Sequence, residues 1–406
     1  MKKALFSIFG SMICAFAMAQ TIEQTYHYGN PMLKNIDGYQ IVNFDGCRPT
    51  GNVGEPILPW QAVSLMLPQG QEAKSISIEF SDFVELTGRH DLYPVQPERP
   101  ISAEGPFEFV KNEELYRSAE SFPTRTESEV KTQYMNGVGF ALSGFTPMRY
   151  VAGTGTVSYA RTVKVKVETM ASRSDQSRKL WLRPENVSIM KKLAQNEDML
   201  STYQRRDAML PEYEVLVITP ETYIGHFDDY ITQYAQQGLR VRVASTEEIY
   251  DAMEGRDNKE KIRNYIVDEY EKNGITMVVF GGDVDLVPHR NLWCHAQDGY
   301  DDYVPADLYY AGLDGTWNED GDNKWGEIGE DDLFPEIGIS RLPFNSTNDL
   351  ETILAKTFSY LTSPVLGEFH ILFLNFRYGH FRPDISSVHA VVEPRKHLVQ
   401  GIHPIT

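Results

Sequence analysis

Apolar and polar residues alternate with a period of two through residues 20 to about 170. Short runs of this kind recur between turn signals: Tyr39-Gln40-Ile41-Val42, Ala62-Val63-Ser64-Leu65-Met66, Ser75-Ile76-Ser77-Ile78-Glu79-Phe80 and Thr162-Val163-Lys164-Val165-Lys166-Val167. In the last run the valines share one face and Thr162, Lys164 and Lys166 the other, as a half-buried antiparallel strand requires. Gly54-Glu55-Pro56 and Leu67-Pro68-Gln69-Gly70 punctuate the runs as turns. The pattern predicts a β-sandwich over 20–170, with no constellation of residues that suggests chemistry.

From Glu212 the pattern changes to apolar runs alternating with helical periods. Glu214 to Thr219 reads as a buried strand, Thr222 to Gln237 as a helix stopped by Gly238, and Leu239 to Ala244 as a second strand. Asn258 to Lys272 carries Ile262, Tyr265, Ile266 and Tyr270 on one helical face, and Ile275 to Phe280 is a continuous apolar strand. Ile337-Gly338-Ile339 lies in a fourth strand, and Asn348 is the expected cap of a helix reaching Tyr360, with Glu351 completing a capping box. Alternating strands and helices predict a mostly parallel sheet over 212–366. Ligands of such sheets sit beyond the carboxyl ends of the strands, where Gly281-Gly282-Asp283 follows the third.

Between these regions, residues 171–211 are polar, with eight Lys/Arg, and read as an exposed linker. The dibasic Arg205-Arg206 within it is a candidate processing site. Residues 1–19 read as a secretory signal peptide: Lys2 and Lys3, an apolar stretch from Ala4 to Phe16, then Ala17-Met18-Ala19. That stretch is too short for a membrane span of about 30 Å, so the expected location is outside the cytoplasm, secreted, periplasmic or at the cell surface. Residues 367–406 form an anomalous tail. They carry half of the chain's ten histidines and a net charge of +1, and beyond Arg377 neither a period of 2 nor of 3.6 persists. A weakly ordered tail, a histidine-based metal tract and a shifted reading frame all remain open there.

Charge then sharpens the picture. The chain has 57 acidic and 38 basic residues for a net charge of −19, which argues against nucleic acid as a partner. Three cysteines do not make a disulfide framework. The acids are concentrated: residues 298–336 hold thirteen carboxylates and one base, Lys324. Such density calls for a cation or for solvent. Asn318-x-Asp320-Gly321-Asp322-x-Lys324-x-x-Glu327 alternates oxygen donors around a glycine, like a calcium loop, although its glutamate comes too early for the twelve-residue spacing. Cys294-His295 is a tempting thiol–imidazole pair, but neighbours on an extended chain point to opposite sides. There is no G-x-S-x-G elbow and no phosphate-binding glycine loop.

The order of several blocks resembles the gingipain family of secreted cysteine endopeptidases. They are the Glu214–Thr219 strand, Gln237-Gly238-Leu239-Arg240, Val278-Val279-Phe280-Gly281-Gly282-Asp283-Val284-Asp285-Leu286-Val287-Pro288, Asp307-Leu308-Tyr309-Tyr310 and Phe334-Pro335-Glu336-Ile337-Gly338-Ile339-Ser340-Arg341-Leu342-Pro343. Gly54-Glu55-Pro56-Ile57-Leu58-Pro59 is similar to the family's propeptide. The resemblance implies a β-rich propeptide that holds a zymogen inactive and a caspase-like first subdomain. It also implies structural calcium on Asp283, Asp332, the Phe334 carbonyl and Glu336; the Asn318–Glu327 loop, with Asp320 and Asp322, is then expected to hold a second ion or to extend that site.

The family's histidine and cysteine lie in a later subdomain and find no match here: Tyr378-Gly379-His380 has no glycine after it and no cysteine follows. The expectation is therefore a monomeric precursor of an endopeptidase of proteins or peptides, cut short or frameshifted before its catalytic dyad. A non-catalytic, calcium-stabilised secreted binding module is the rival, and a metal hydrolase built on the acidic cluster the weakest reading.

Overall fold

The computed structural model describes residues 20–97, 105–204, 212–295 and 301–363. The expected signal at 1–19, the Arg205-Arg206 pair and the tail at 367–406 lie outside them.

The N-terminal region contains β1 (Thr21–His27), β2 (Met32–Ile36), β3 (Tyr39–Asn43), β4 (Arg48–Thr50), β5 (Leu58–Met66) and β6 (Gln71–Glu85). A short helix α1 (Glu113–Arg117) leads into β7 (Lys131–Met135), β8 (Val138–Phe145), β9 (Met148–Val151) and β10 (Thr156–Ala171). One antiparallel sheet runs β1-β10-β6 with β9 also on β10, another runs β4-β5-β8-β7, and β2 pairs with β3. Val163, Val165 and Val167 of β10 are fully buried and lie opposite Phe80, Ile78 and Ile76 of β6. On the outer face Lys166 pairs with Glu79 at 2.8 Å. Both sheets feed one core, in which the β10 valines meet Val63 and Leu65 of β5 and Ala141 and Phe145 of β8.

The expectation of an exposed linker over 171–211 fails for its described part. Two 3-10 turns, Ser177–Lys179 and Glu197–Thr202, flank α2 (Pro184–Leu193). Leu180, Met190, Leu200 and Tyr203 are buried against Met66, Met135, Val138 and Phe140. The Asn196 side chain takes a hydrogen bond from the Met66 amide and returns one to its carbonyl. Its buried side chains are few and widely spaced, so composition reads as polar while the segment is clamped to β5 and β8.

The second region comprises β11 (Val215–Thr219), α3 (Asp228–Gln236), β12 (Val241–Ser245), α4 (Thr246–Ala252), α5 (Asn258–Asn273) and β13 (Met277–Gly281). It continues with β14 (Arg290–His295), β15 (Asp301–Ala306), β16 (Gly338–Leu342) and α6 (Thr347–Thr362). The sheet order is β12-β11-β13-β16, every pair parallel. Alternate residues serve opposite faces. Leu216, Ile218, Val278 and Phe280 pack on Ile262, Tyr265, Ile266 and Tyr270 of α5. Val215, Val217 and Val279 pack on Phe227, Tyr230, Leu350 and Leu354. This double cover is why the strands read as uninterrupted apolar runs.

Three local expectations need correction. The helix expected over 222–237 opens as a 3-10 turn, Glu221–Phe227, before α3. α6 is capped by Ser346, whose extended backbone lets Oγ accept from the Asp349 amide at 3.2 Å, while Asn348 is already helical. α4 and the β14–β15 hairpin were not foreseen; α4 starts on Ser245, the last residue of β12, which caps it by accepting from the Glu248 amide.

Candidate metal centre

Three carboxylates converge where the acidic segment returns to the sheet: Asp314, Asp332 and Glu336, each offering an oxygen within 4.8 Å of the others. All three are buried, with exposures of 8%, 6% and 6%. The loop backbone fixes them. The Asp314 amide donates to Asp332 Oδ2 at 2.9 Å, the Phe334 amide to Asp332 Oδ1 at 3.2 Å and the Leu313 amide to Glu336 Oε2 at 2.6 Å. Gly312 is required at this point, because a Cβ there would stand 2.7 Å from the Asp332 carbonyl and 2.8 Å from Asp332 Oδ2. Beneath them the buried Arg263 of α5 donates to the carbonyls of Tyr309, Gly312 and Asp314 at 2.8–3.1 Å.

Burial, reinforced by the Asp314 charge, pushes the Asp332 carboxyl up to about 7. Glu336 is raised by burial first, then by the charges of Asp314 and Asp332. Asp314 Oδ2 is buried without a hydrogen-bond partner among the described residues. An orphaned oxygen in a trio of hard oxygen donors suits a divalent cation of the calcium type, and a buried carboxylate cluster otherwise carries a large desolvation cost.

The residues singled out from sequence separate in the fold. Asp332 and Glu336 meet, and Phe334 between them packs its ring edge-on against Phe140 at 5.8 Å. Asp283 does not join them. Its carboxylate accepts from the Val284 amide at 2.8 Å and Asn345 Nδ2 at 3.1 Å, contacts that hold it below the usual carboxylate range. The reason is the parallel register. Met277 lies opposite Gly338 and Gly281 opposite Leu342, so Asp283 follows the C-terminal end of the sheet while Glu336 precedes the N-terminal end. A five-residue strand puts these ends about 15 Å apart. Asp314, the member missed from sequence, was hidden among thirteen acids; Gly312 and the buried Trp317 beside it were the available signals.

A second group, Asp320, Glu327 and Glu330, brings carboxylate oxygens within 4.8 Å on an exposed loop. Asp322 is not in it: its Oδ1 takes the Lys324 amide, its amide donates to Asp320 Oδ1, and its carbonyl accepts from Asn318 Nδ2. Cys294 lies on β14, and neither it nor Cys47 is in a disulfide. The side chain of His295 is outside the described residues.

The N-terminal region seats directly on the carboxylate trio. Lys179 Nζ donates to Asp314 Oδ1 at 2.9 Å and to the Leu313 carbonyl at 2.6 Å. From the β7–β8 turn, the Asn136 amide donates to Glu336 Oε1 at 3.3 Å, and its side chain to the Glu336 carbonyl and the Tyr270 hydroxyl. Trp181 Nε1 donates to the Tyr270 carbonyl at 3.0 Å. At Gly274, in the left-handed region with φ of 63°, a Cβ would collide with the Trp181 ring at 2.8 Å.

An antiparallel β domain docked on the edge of a parallel α/β domain, with a buried carboxylate trio at the seam, defines the class of structure. Residues 24–190 match the Propeptide_C25 family model and residues 209–375 the model for Peptidase family C25. The chain belongs to the gingipain-like family. Gingipain R2 of Porphyromonas gingivalis is 24% identical over 322 residues, covering 76% of this chain and 38% of the relative. Gingipain R1 of the same species is 23% identical over 327 residues, covering 76% and 28%. The chain therefore spans under two-fifths of these relatives' length. Among solved structures, a complex of the RgpB pro- and mature domains from Porphyromonas gingivalis matches 44% of this chain and 93% of that one, at 17% identity and a TM-score of 0.35. The Arg-specific cysteine proteinase gingipain R matches 38% and 30%, at 24% identity and a TM-score of 0.27. Among the described residues no helix is long and apolar enough to cross a membrane.

Proposed function

We propose that this chain is the precursor region of a secreted, gingipain-like cysteine endopeptidase acting on proteins or peptides. The N-terminal domain, read as a β-sandwich propeptide, holds the zymogen latent, and the α/β domain is the caspase-like first subdomain. The observation that carries this reading is the seam itself. Asn136, Lys179 and Trp181 of the N-terminal domain make buried polar contacts to Glu336, Asp314 and Tyr270, the intimate docking that a prosegment needs. Residues 1–19 serve as the export signal, and Arg205-Arg206, between the two domains, as the processing site.

Asp314, Asp332 and Glu336 would hold a calcium ion. Bound there, calcium supplies structure, neutralising the carboxylates and tying residues 312–314 to 332–336. The exposed Asp320 group is the place for a weaker second ion. Peptide cleavage itself would rest on a thiolate attacking the carbonyl, an imidazole acting as base then acid, and backbone donors for the oxyanion.

The test is to read the gene beyond the Leu366 codon in all three frames. A histidine-glycine block followed by a cysteine block supports the endopeptidase. Their absence from every frame overturns it.

A further inference from the structure

Among the described residues, Lys179 is the cation of the N-terminal domain that pairs with a carboxylate of the trio. Its ammonium and the Asp314 carboxylate are 12% and 11% exposed, so water screens their 2.9 Å contact weakly. The contact spans 135 residues of sequence, from the 3-10 turn before Trp181 to the acidic loop. From the trio's own domain, Arg263 binds the loop carbonyls from below.

Charge counting then separates two states. When a divalent ion binds, all three carboxylates ionise, and against Arg263 alone they leave two negative charges, the complement of that ion. With Lys179 docked, one negative charge remains, and a divalent ion makes the site net positive. Asp314 Oδ1 is also engaged by the ammonium, leaving Oδ2 as its free oxygen. Glu336 also lines a cavity of about 180 Å³ at the seam, with Met135, Trp181, Arg183 and Tyr270.

We propose that Lys179 and a divalent cation are antagonists at the Asp314–Asp332–Glu336 site, so that calcium loosens the seat of the N-terminal domain and docking weakens calcium binding. This rests on the metal-site reading given under Proposed function. The coupling is reciprocal by linkage: whatever affinity docking removes from calcium, calcium removes from docking. Calcium met after export thereby becomes a signal that starts prosegment release.

The experiment is calorimetric titration of calcium chloride into the metal-stripped full chain and its Lys179→Met variant, with Lys179→Gln as a second variant that keeps hydrogen bonding without charge. Both variants should bind calcium at least about fivefold more tightly than the parent, the low end of ordinary allosteric coupling. A Lys74→Met control, which removes an exposed ion pair with Glu168 in the β domain, should match the parent. In hydrogen–deuterium exchange of the parent, calcium should speed exchange at residues 131–140 and 177–182. Equal or weaker binding by the Lys179 variants, or slower exchange at the seam, overturns the antagonism while leaving the metal site standing. No calcium binding by any form overturns the metal site, and the antagonism with it.

Discussion

The buried trio Asp314–Asp332–Glu336 and the exposed group Asp320–Glu327–Glu330 offer the same chemistry at similar spacing, yet their surroundings differ throughout. Around the trio, three loop amides, the Asn136 amide, Lys179 and Arg263 are arranged about oxygens that have lost water. Around the second group, the Asp320 amide donates to Glu330 Oε1, the Asp322 amide to Asp320 Oδ1, Lys324 stands 3.6 Å from Glu327 and solvent reaches Asp320, while Glu330 Oε2 is buried without a partner among the described residues. Carboxylate density alone therefore says little about a metal. Desolvation makes a cation necessary, and all three residues of the trio are buried, whereas Asp320 is exposed and Glu327 and Glu330 are half-buried.

The comparison breaks most readily through the cations. Replacing Arg263 by Met strands three buried carbonyls and leaves the trio without its internal counter-charge, and should cost about 3 kcal/mol or more. Replacing Lys324 by Met should stay within about 0.5 kcal/mol. The midpoints of urea denaturation of the two variants measure the difference; similar shifts would mean that burial does not separate the clusters.

Calcium comes next. At a hundredfold excess over its dissociation constant, an ion that binds only the folded chain adds about 2.7 kcal/mol. The melting temperature should rise on adding calcium and fall with chelator. Asp332→Asn should abolish this response and Asp320→Asn should keep it. A response lost with Asp320→Asn and kept with Asp332→Asn would move the principal site to the exposed loop.

Acidity sharpens the contrast from the other side. In metal-free buffer the folded chain holds Asp332 near 7 and Glu336 also raised, whereas unfolded carboxyls titrate at about 4. Between these limits the folded state binds more protons, so stability is full below about pH 4 and falls as pH rises towards 7. The decline should be about 4 kcal/mol, should disappear in calcium and should shrink in the Asp332→Asn variant, where Glu336 still contributes. Stability rising over that interval in metal-free buffer would contradict it.

How far these features could be read from sequence follows from the range of the interactions. The parallel strands were legible because double burial writes itself as apolar runs, Val278 to Phe280 above all. The blocks that carried the family resemblance prove to be physically joined. Arg341 forms a two-pronged ion pair with Asp307, at 2.7 and 2.9 Å, and donates to the carbonyls of Gly282 and Val287. What stayed hidden depends on register and docking. Asp283 and Glu336 look like partners until a parallel pairing places them at opposite sheet ends. Residues 177–204 look solvated until β5 and β8 cover one narrow face of them.

The smallest expected effect concerns the exposed loop. Asp322 gives both its carboxylate and its amide to turns within 320–324, so its charge matters less than its acceptor geometry. Asp322→Asn keeps an acceptor oxygen at the same place and should change stability by less than about 0.5 kcal/mol. Asp322→Ala removes the acceptor for the Lys324 amide and should cost about 1 kcal/mol. Neither should alter calcium affinity if the ion sits on the trio, because no Asp322 oxygen belongs to either carboxylate group. Calorimetry and urea midpoints on the two variants separate these contributions. A fall in calcium affinity for Asp322→Asn would assign the loop to the metal and erase the distinction between the two clusters.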